Sequence, residues 1–188
     1  MQMKRQLLFI QGAGEGTHDE WDDKLVASLR KELGPDFEIR YPRMPNEHAP
    51  SYSAWKPALE KSLLALEDGA IAVGHSVGAT ILIAVLAEQS STQRLGAIVL
   101  IAPPFVGDGG WPSEDMQLPH DLGARLGQDV PVLFFNGLED DTVPPAHAER
   151  YARLIPQARF HPLPGRDHQL NNDLKEVAVA ILQLQTQS

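Results

Sequence analysis

Four uninterrupted apolar runs punctuate the chain: Leu7-Leu8-Phe9-Ile10, Ala70-Ile71-Ala72-Val73, Ala97-Ile98-Val99-Leu100-Ile101 and, after Pro131, Val132-Leu133-Phe134-Phe135. Runs of this length without polar alternation predict strands buried on both faces, as parallel sheets require. Two weaker segments, Phe37-Glu38-Ile39-Arg40-Tyr41 and Ala158-Arg159-Phe160-His161, read as short flanking strands. Between the runs the apolar spacing becomes helical. Trp21, Leu25, Val26 and Leu29 predict a helix that opens on a capping box, with Thr17 three residues ahead of Glu20, and closes at Gly34-Pro35. Further helices are predicted over 53–67, 79–87, 146–154 and 170–184, the last presenting Leu174, Val177, Ile181 and Leu184 on one face.

Six strands alternating with helices, with no repeat or low-complexity linker, predict a mainly parallel sheet of about six strands inside a three-layer α/β/α sandwich. Right-handed crossovers then gather the C-terminal ends of the strands along one edge. The residues at those ends therefore set the chemistry.

The third strand runs into Gly74-His75-Ser76-Val77-Gly78 and directly on into a helix-forming segment. A strand, a G-x-S-x-G turn and a helix together predict a nucleophile elbow that exposes the Ser76 hydroxyl and aims helix N–H groups toward it. The bland alternative is a glycine-rich turn carrying an idle serine. After the fifth strand come Glu139, Asp140 and Asp141, three candidate acids, and after the sixth comes Gly165-Arg166-Asp167-His168. The order Ser, Asp, His at three strand ends supplies a nucleophile, an acid to orient an imidazole, and a base to take the hydroxyl proton. His75 is expected to pack against neighbouring loops rather than to act as a second base.

This pattern resembles the α/β-hydrolase superfamily over essentially the whole chain, in the form left when the first two strands of the family core are removed. The size and the missing cap are similar to the small serine hydrolases of the retinoblastoma-binding-protein type. The resemblance implies a minimal α/β-hydrolase fold, with residues 1–188 forming one domain and no separate cap domain. A family pattern G-x-x-D-x-x-V-P, matched here by Gly137, Asp140, Val143 and Pro144, selects Asp140 as the triad acid beside Ser76 and His168. Asp141 is then a turn or cap residue and Glu139 a solvated one. The backbone N–H groups of Val77 and Ala13 are implied as oxyanion donors. The first loop departs from the family pattern, because Gln11 stands where a histidine is usual. Gly14 and Gly16 either bring this loop close to a substrate or simply permit the turn that follows it.

The implied activity is that of a carboxylesterase-like serine hydrolase (EC 3.1) acting on a small-molecule ester or thioester through an acyl-serine, with no cofactor. The contrasting expectation is a binding or regulatory protein that keeps this fold without catalysis. Specificity is expected from residues 102–129, where Phe105, Val106, Trp111 and Met116 either line a substrate pocket or only cover the core.

Composition narrows the picture further. The 188 residues carry 16 Lys and Arg against 25 Asp and Glu, a formal charge of -9, with no basic cluster able to track a phosphate backbone, so no nucleic-acid partner is expected. That charge also disfavours strongly anionic substrates. Without cysteine there is no disulfide, thiolate metal site or cysteine nucleophile, and no metal set is legible among His18, His120, His147 and His161. The Gly12-Ala13-Gly14-Glu15-Gly16 loop resembles a dinucleotide fingerprint, yet the third glycine position holds Thr17. The first apolar run is too short for a signal h-region or a membrane span, so the expected location is cytoplasmic. Nothing in the sequence sets the oligomeric state.

Overall fold

The computed structural model describes residues 4–89 and 94–184. Six strands form one sheet: β1 (Arg5–Ile10), β2 (Phe37–Arg40), β3 (Ile71–His75), β4 (Ala97–Ile101), β5 (Val132–Gly137) and β6 (Arg159–Leu163). All pairings are parallel, in the order β2-β1-β3-β4-β5-β6. The four uninterrupted apolar runs became the central strands, whose side chains are buried on both faces. The flanking strands β2 and β6, which alternate in polarity, lie at the edges.

Five α-helices connect the strands, α1 (Asp22–Leu33), α2 (Tyr52–Leu64), α3 (Val77–Glu88), the short α4 (Leu122–Arg125) and α5 (Ala146–Leu154), and α6 (Lys175–Leu184) follows β6. The core is divided by the sheet. On one face Leu25 and Leu29 of α1 and Val177 and Ile181 of α6 pack against Phe9, Val73 and Val99. On the other, Trp55 and Leu59 of α2, Leu82 of α3 and Tyr151 of α5 pack against Leu8, Ile98 and Phe134. The chain reverses sheet direction between β1 and β3, and the C-terminal ends of these two strands flank the crevice where parallel sheets place ligands.

Two helix starts differ from the sequence expectation. Thr17 does not cap a helix; its Oγ1 donates to the Gly14 carbonyl at 2.9 Å, and Thr17–Trp21 forms a single π-helical turn before α1 begins at Asp22. The wider turn swings Trp21 off the apolar stripe, so it stands 50% exposed. At the other end, 170–184 is not one helix. Leu170, Asn171 and Asn172 all have positive φ in a short turn fastened by the Asp167 side chain to the Asn171 N–H at 2.7 Å, and α6 starts at Lys175. Among the described residues no helix is long and apolar enough to cross a membrane.

Candidate active site

β3 delivers the chain to Ser76, which sits at φ 52 and ψ -131, a conformation that costs a residue bearing a β-carbon of the order of 1–3 kcal/mol. The surroundings hold it there. The Ser76 N–H donates to the Ile101 carbonyl at 2.8 Å, and the Ala79 N–H returns to the Ser76 carbonyl at 2.9 Å. Gly74 and Gly78 make the turn possible: a β-carbon on Gly74 would lie 2.5 Å from Ala79 Cα, and one on Gly78 only 1.9 Å from the Gln11 carbonyl oxygen.

Three strand ends converge on this serine. Ser76 Oγ lies 3.0 Å from Nε2 of His168, and Nδ1 of the same ring lies 2.8 Å from Oδ2 of Asp140. The other oxygen of Asp140 accepts the N–H groups of Thr142 at 2.9 Å and Val143 at 2.8 Å, so the turn after β5 fixes the plane of the carboxylate. Burial alone would raise the Asp140 pKa. The hydrogen bonds from His168 and from these two amides outweigh it and hold the carboxyl below its ordinary value. Glu139 and Asp141 point into solvent. The loop bearing His168 is laced to its surroundings through Arg166, which pairs with Glu176 at 2.7 Å and donates to the Leu170 carbonyl at 3.1 Å.

The first loop, 11–16, stands over the serine. Gln11, fully buried, donates to Glu47 at 2.6 Å and accepts the Met44 N–H at 2.9 Å, which ties this loop to the proline-rich segment after β2. The Glu47 carboxylate in turn receives the N–H groups of Gly16 and His18, at 3.1 and 3.0 Å, so the anion seat of this glycine-rich loop is filled from within the chain. The Gly12 N–H goes to Asp22 at 2.7 Å and that of Gly14 to the Glu47 carbonyl at 2.7 Å. Neither the N–H of Ala13 nor that of Val77, the first residue of α3, donates to a protein acceptor among the described residues. Ala13 follows β1 and Val77 follows β3 directly after the serine.

A depression of about 230 Å³ surrounds Ser76 and His168, walled by Ala13, Glu15, Trp21 and Gln169. Phe105, Val106 and Met116 line a different hollow with Leu118 and Leu154, and Trp111 stands edge-on to His147 with ring centroids 6.1 Å apart. None of the four anticipated pocket residues is among those that line the depression at Ser76. Their loop is anchored to the helices below it: the Pro104 carbonyl accepts Thr80 Oγ1 at 2.7 Å and the Tyr151 hydroxyl at 2.9 Å, and the Phe105 N–H donates to Nδ1 of His147 at 2.8 Å. Among the described residues no group of three or more His, Asp or Glu converges as a metal site.

The sequence reading missed Asp22, Trp21, Gln169 and the Gln11–Glu47 brace. Asp22 had a legible signal. It shares a helical stripe with Val26, Leu29 and Leu33, and a carboxylate on an apolar stripe marks a buried partner. The π turn that turns Trp21 outward has no comparable signature.

A family model described as serine hydrolase matches residues 7–173. Among solved structures, the ydeN gene product of B. subtilis superposes with a TM-score of 0.75 at 18% identity, covering 97% of this chain and 100% of that one. The esterase domain of a Rhodothermus marinus protein gives 0.66 at 20% identity over 96% and 85% of the two chains. XC6422 from Xanthomonas campestris, described as an a/b serine hydrolase without lid, gives 0.65 at 17% identity over 95% and 79%. No match to a curated protein sequence is found. Since the family match spans most of the chain and the solved structures superpose over nearly all of it, the chain belongs to the serine hydrolase family and has the α/β-hydrolase fold.

Proposed function

We propose that the protein cleaves a carboxylic ester or thioester through an acyl-serine intermediate, with Ser76 as nucleophile, His168 as general base and acid, and Asp140 as the group that orients His168. One observation carries this reading: the unbroken relay from Ser76 Oγ to His168 Nε2 at 3.0 Å and from His168 Nδ1 to Asp140 Oδ2 at 2.8 Å. Ser76 Oγ forms a bond to the acyl carbon while its proton passes to Nε2 of His168. As the tetrahedral intermediate collapses, that proton goes to the departing alcohol or thiol, leaving the acyl group on Ser76. Water then attacks with His168 again taking a proton, and the carboxylic acid and free serine are released. Asp140 stabilises the imidazolium in both steps without taking its proton.

The free N–H groups of Val77 and Ala13 support their assignment as the oxyanion donors; losing one such donor costs about 10²–10³-fold in turnover. The open depression at Ser76 suits a small acyl or alcohol group with Trp21 as its apolar wall. The esterase named among the structural neighbours agrees with this class of substrate.

A fluorophosphonate probe is expected to label the wild type and leave Ser76→Ala unlabelled, and hydrolysis of a short p-nitrophenyl ester is expected to disappear with the label. If Ser76→Ala turns over that ester at the wild-type rate, Ser76 is not the nucleophile.

A further inference from the structure

A second aspartate–histidine pair lies directly behind the first, and the reaction above does not use it. His75, the residue before the nucleophile, is 1% exposed, and Asp22 at the start of α1 is 0% exposed. Nδ1 of His75 lies 3.0 Å from the Asp22 carboxylate. Nε2 lies 3.1 Å from the backbone carbonyl of His168. Asp22 also accepts the Gly12 N–H at 2.7 Å and the Gln169 amide at 3.3 Å.

These contacts decide the protonation state of His75. Its two ring nitrogens face the Asp22 carboxyl group and a peptide carbonyl. A peptide carbonyl only accepts, so Nε2 carries hydrogen. Asp22 already receives an amide N–H on one oxygen and a side-chain amide on the other, an environment that favours the ionised carboxylate, so Nδ1 carries hydrogen too. Burial works against a charged imidazole, but the Asp22 charge and the hydrogen bonds to Asp22 and to the His168 carbonyl raise the His75 pKa. Asp22 shifts downward, since burial is outweighed by His75, Gly12 and Gln169. Among the described residues, the titratable groups acting on His75 are Asp22 on α1, His168 after β6 and, at longer range, Asp140 after β5.

We propose that Asp22 and the doubly protonated His75 are positioning residues: a sealed ion pair that pins the elbow, the first loop and the His168 loop to one another and so sets the geometry of the Ser76 and His168 side chains. This rests on the assignment of Ser76 and His168 given above. Each of the three segments is reached by one bond of the pair: the elbow through His75 itself, the first loop through the Gly12 N–H, and the base loop through the His168 carbonyl with Gln169 beside it. The pair is also electrically self-contained. An unaccompanied imidazolium with its ring centroid 5.1 Å from that of His168 would make the base harder to protonate, and the Asp22 charge cancels most of that field.

Two side-chain replacements separate the halves of this link. In His75→Asn the amide nitrogen takes the place of Nδ1 and still reaches Asp22, but nothing meets the His168 carbonyl. In His75→Gln the amide nitrogen takes the place of Nε2 and keeps that bond. For folded protein counted by thermal melting, His75→Asn is expected to lower kcat on a p-nitrophenyl ester about 10–100-fold with KM within about twofold, since a loss of alignment near 1 Å is worth that much. His75→Gln is expected to recover most of the loss. Should folded His75→Asn keep kcat within about twofold of wild type, the pair is a structural strut only and the proposal falls. A second readout needs no turnover: ¹⁵N spectra of histidine-labelled wild type are expected to show both ring nitrogens of His75 protonated at pH 7.5. A neutral His75 there overturns the proposal, whereas a wild type with that imidazolium intact but no probe labelling overturns the Ser76 assignment instead.

Discussion

The molecule carries the same two side chains twice, and their surroundings give them opposite behaviour. Asp140 and His168 meet at 2.8 Å, Asp22 and His75 at 3.0 Å. In the first pair the far ring nitrogen faces a hydroxyl, which both donates and accepts, and the imidazole is 17% exposed beside the depression. In the second it faces a carbonyl that has no proton to exchange, and the ring is sealed. An imidazole cycles protons only where its second nitrogen meets a group able to lose one and where a reactant can arrive. A carboxylate on Nδ1 is common to a base and to a strut, and so identifies neither.

The largest test of this contrast removes each ring in turn. His168→Ala is expected to lower kcat by about 10⁴–10⁶-fold, the range found when a member of a serine triad is lost. His75 variants lose no more than about two orders of magnitude, as the positioning role requires. Measured on the same ester with active protein counted by melting, a loss at His75 equal to that at His168 would make the two pairs equivalent and break the comparison.

The same contrast shows what the sequence can carry. The sheet was legible because uninterrupted apolar runs mark strands covered on both faces, and the candidates Ser76, Asp140 and His168 were legible from the G-x-S-x-G turn and from the order of the three residues at strand ends that the resemblance implies. Asp140 in particular is picked out from Glu139 and Asp141 by the G-x-x-D-x-x-V-P pattern that the resemblance supplies, and the fold brings its carboxylate onto His168. Of the sealed pair, Asp22 left a signal as a carboxylate on an apolar stripe, but its partner and the rim depend on how one loop enters one helix. Read as a capping box, Thr17 starts a helix four residues early and buries Trp21; the single π turn instead adds a residue, turns Trp21 out and leaves Asp22 facing His75. Periodicity has no register for one inserted residue. The role of the loop at 102–129 is less legible for a related reason, since its aromatic content is visible in sequence but its anchorage by Thr80, His147 and Tyr151 is not.

A smaller effect distinguishes the pairs through stability and pH. His75 has its folded pKa raised above its ordinary value of 6.5, so its contribution is complete below about pH 6.5 and is lost as pH rises through the folded value. Asp22 is shifted below 3.8, so its contribution is present above that value and is lost as pH falls through the folded one. The stability gap between wild type and His75→Gln is therefore expected to be widest between roughly pH 4 and 6.5, at about 3–5 kcal/mol for a buried pair left with one partner, and to shrink toward alkaline pH. Urea unfolding at several pH values measures it. A gap that widens above neutrality would mean that His75 is neutral in the folded protein.

The smallest expected effect concerns the residue next to Asp22. Trp21 and Asp22 are chain neighbours that face opposite ways, one into the depression at Ser76 and the other into the floor beneath it, so their variants should differ in kind as well as in size. Asp22 acts through alignment of the reacting groups and is read in kcat. Trp21 touches no reacting atom, and an apolar wall binds ground state and transition state alike, which is read in KM. Trp21→Ala is expected to raise KM for an aryl ester roughly 3–10-fold with kcat within twofold, the loss of a half-exposed aromatic contact worth about 0.5–1.5 kcal/mol. Phe105→Ala, in the separate hollow, is expected to leave KM within about twofold, because its ring packs edge-on to Tyr151 with centroids 5.3 Å apart. If the two variants exchange these outcomes, the acyl or alcohol group lies over 102–129 and the substrate approaches Ser76 from the opposite side of the sheet edge.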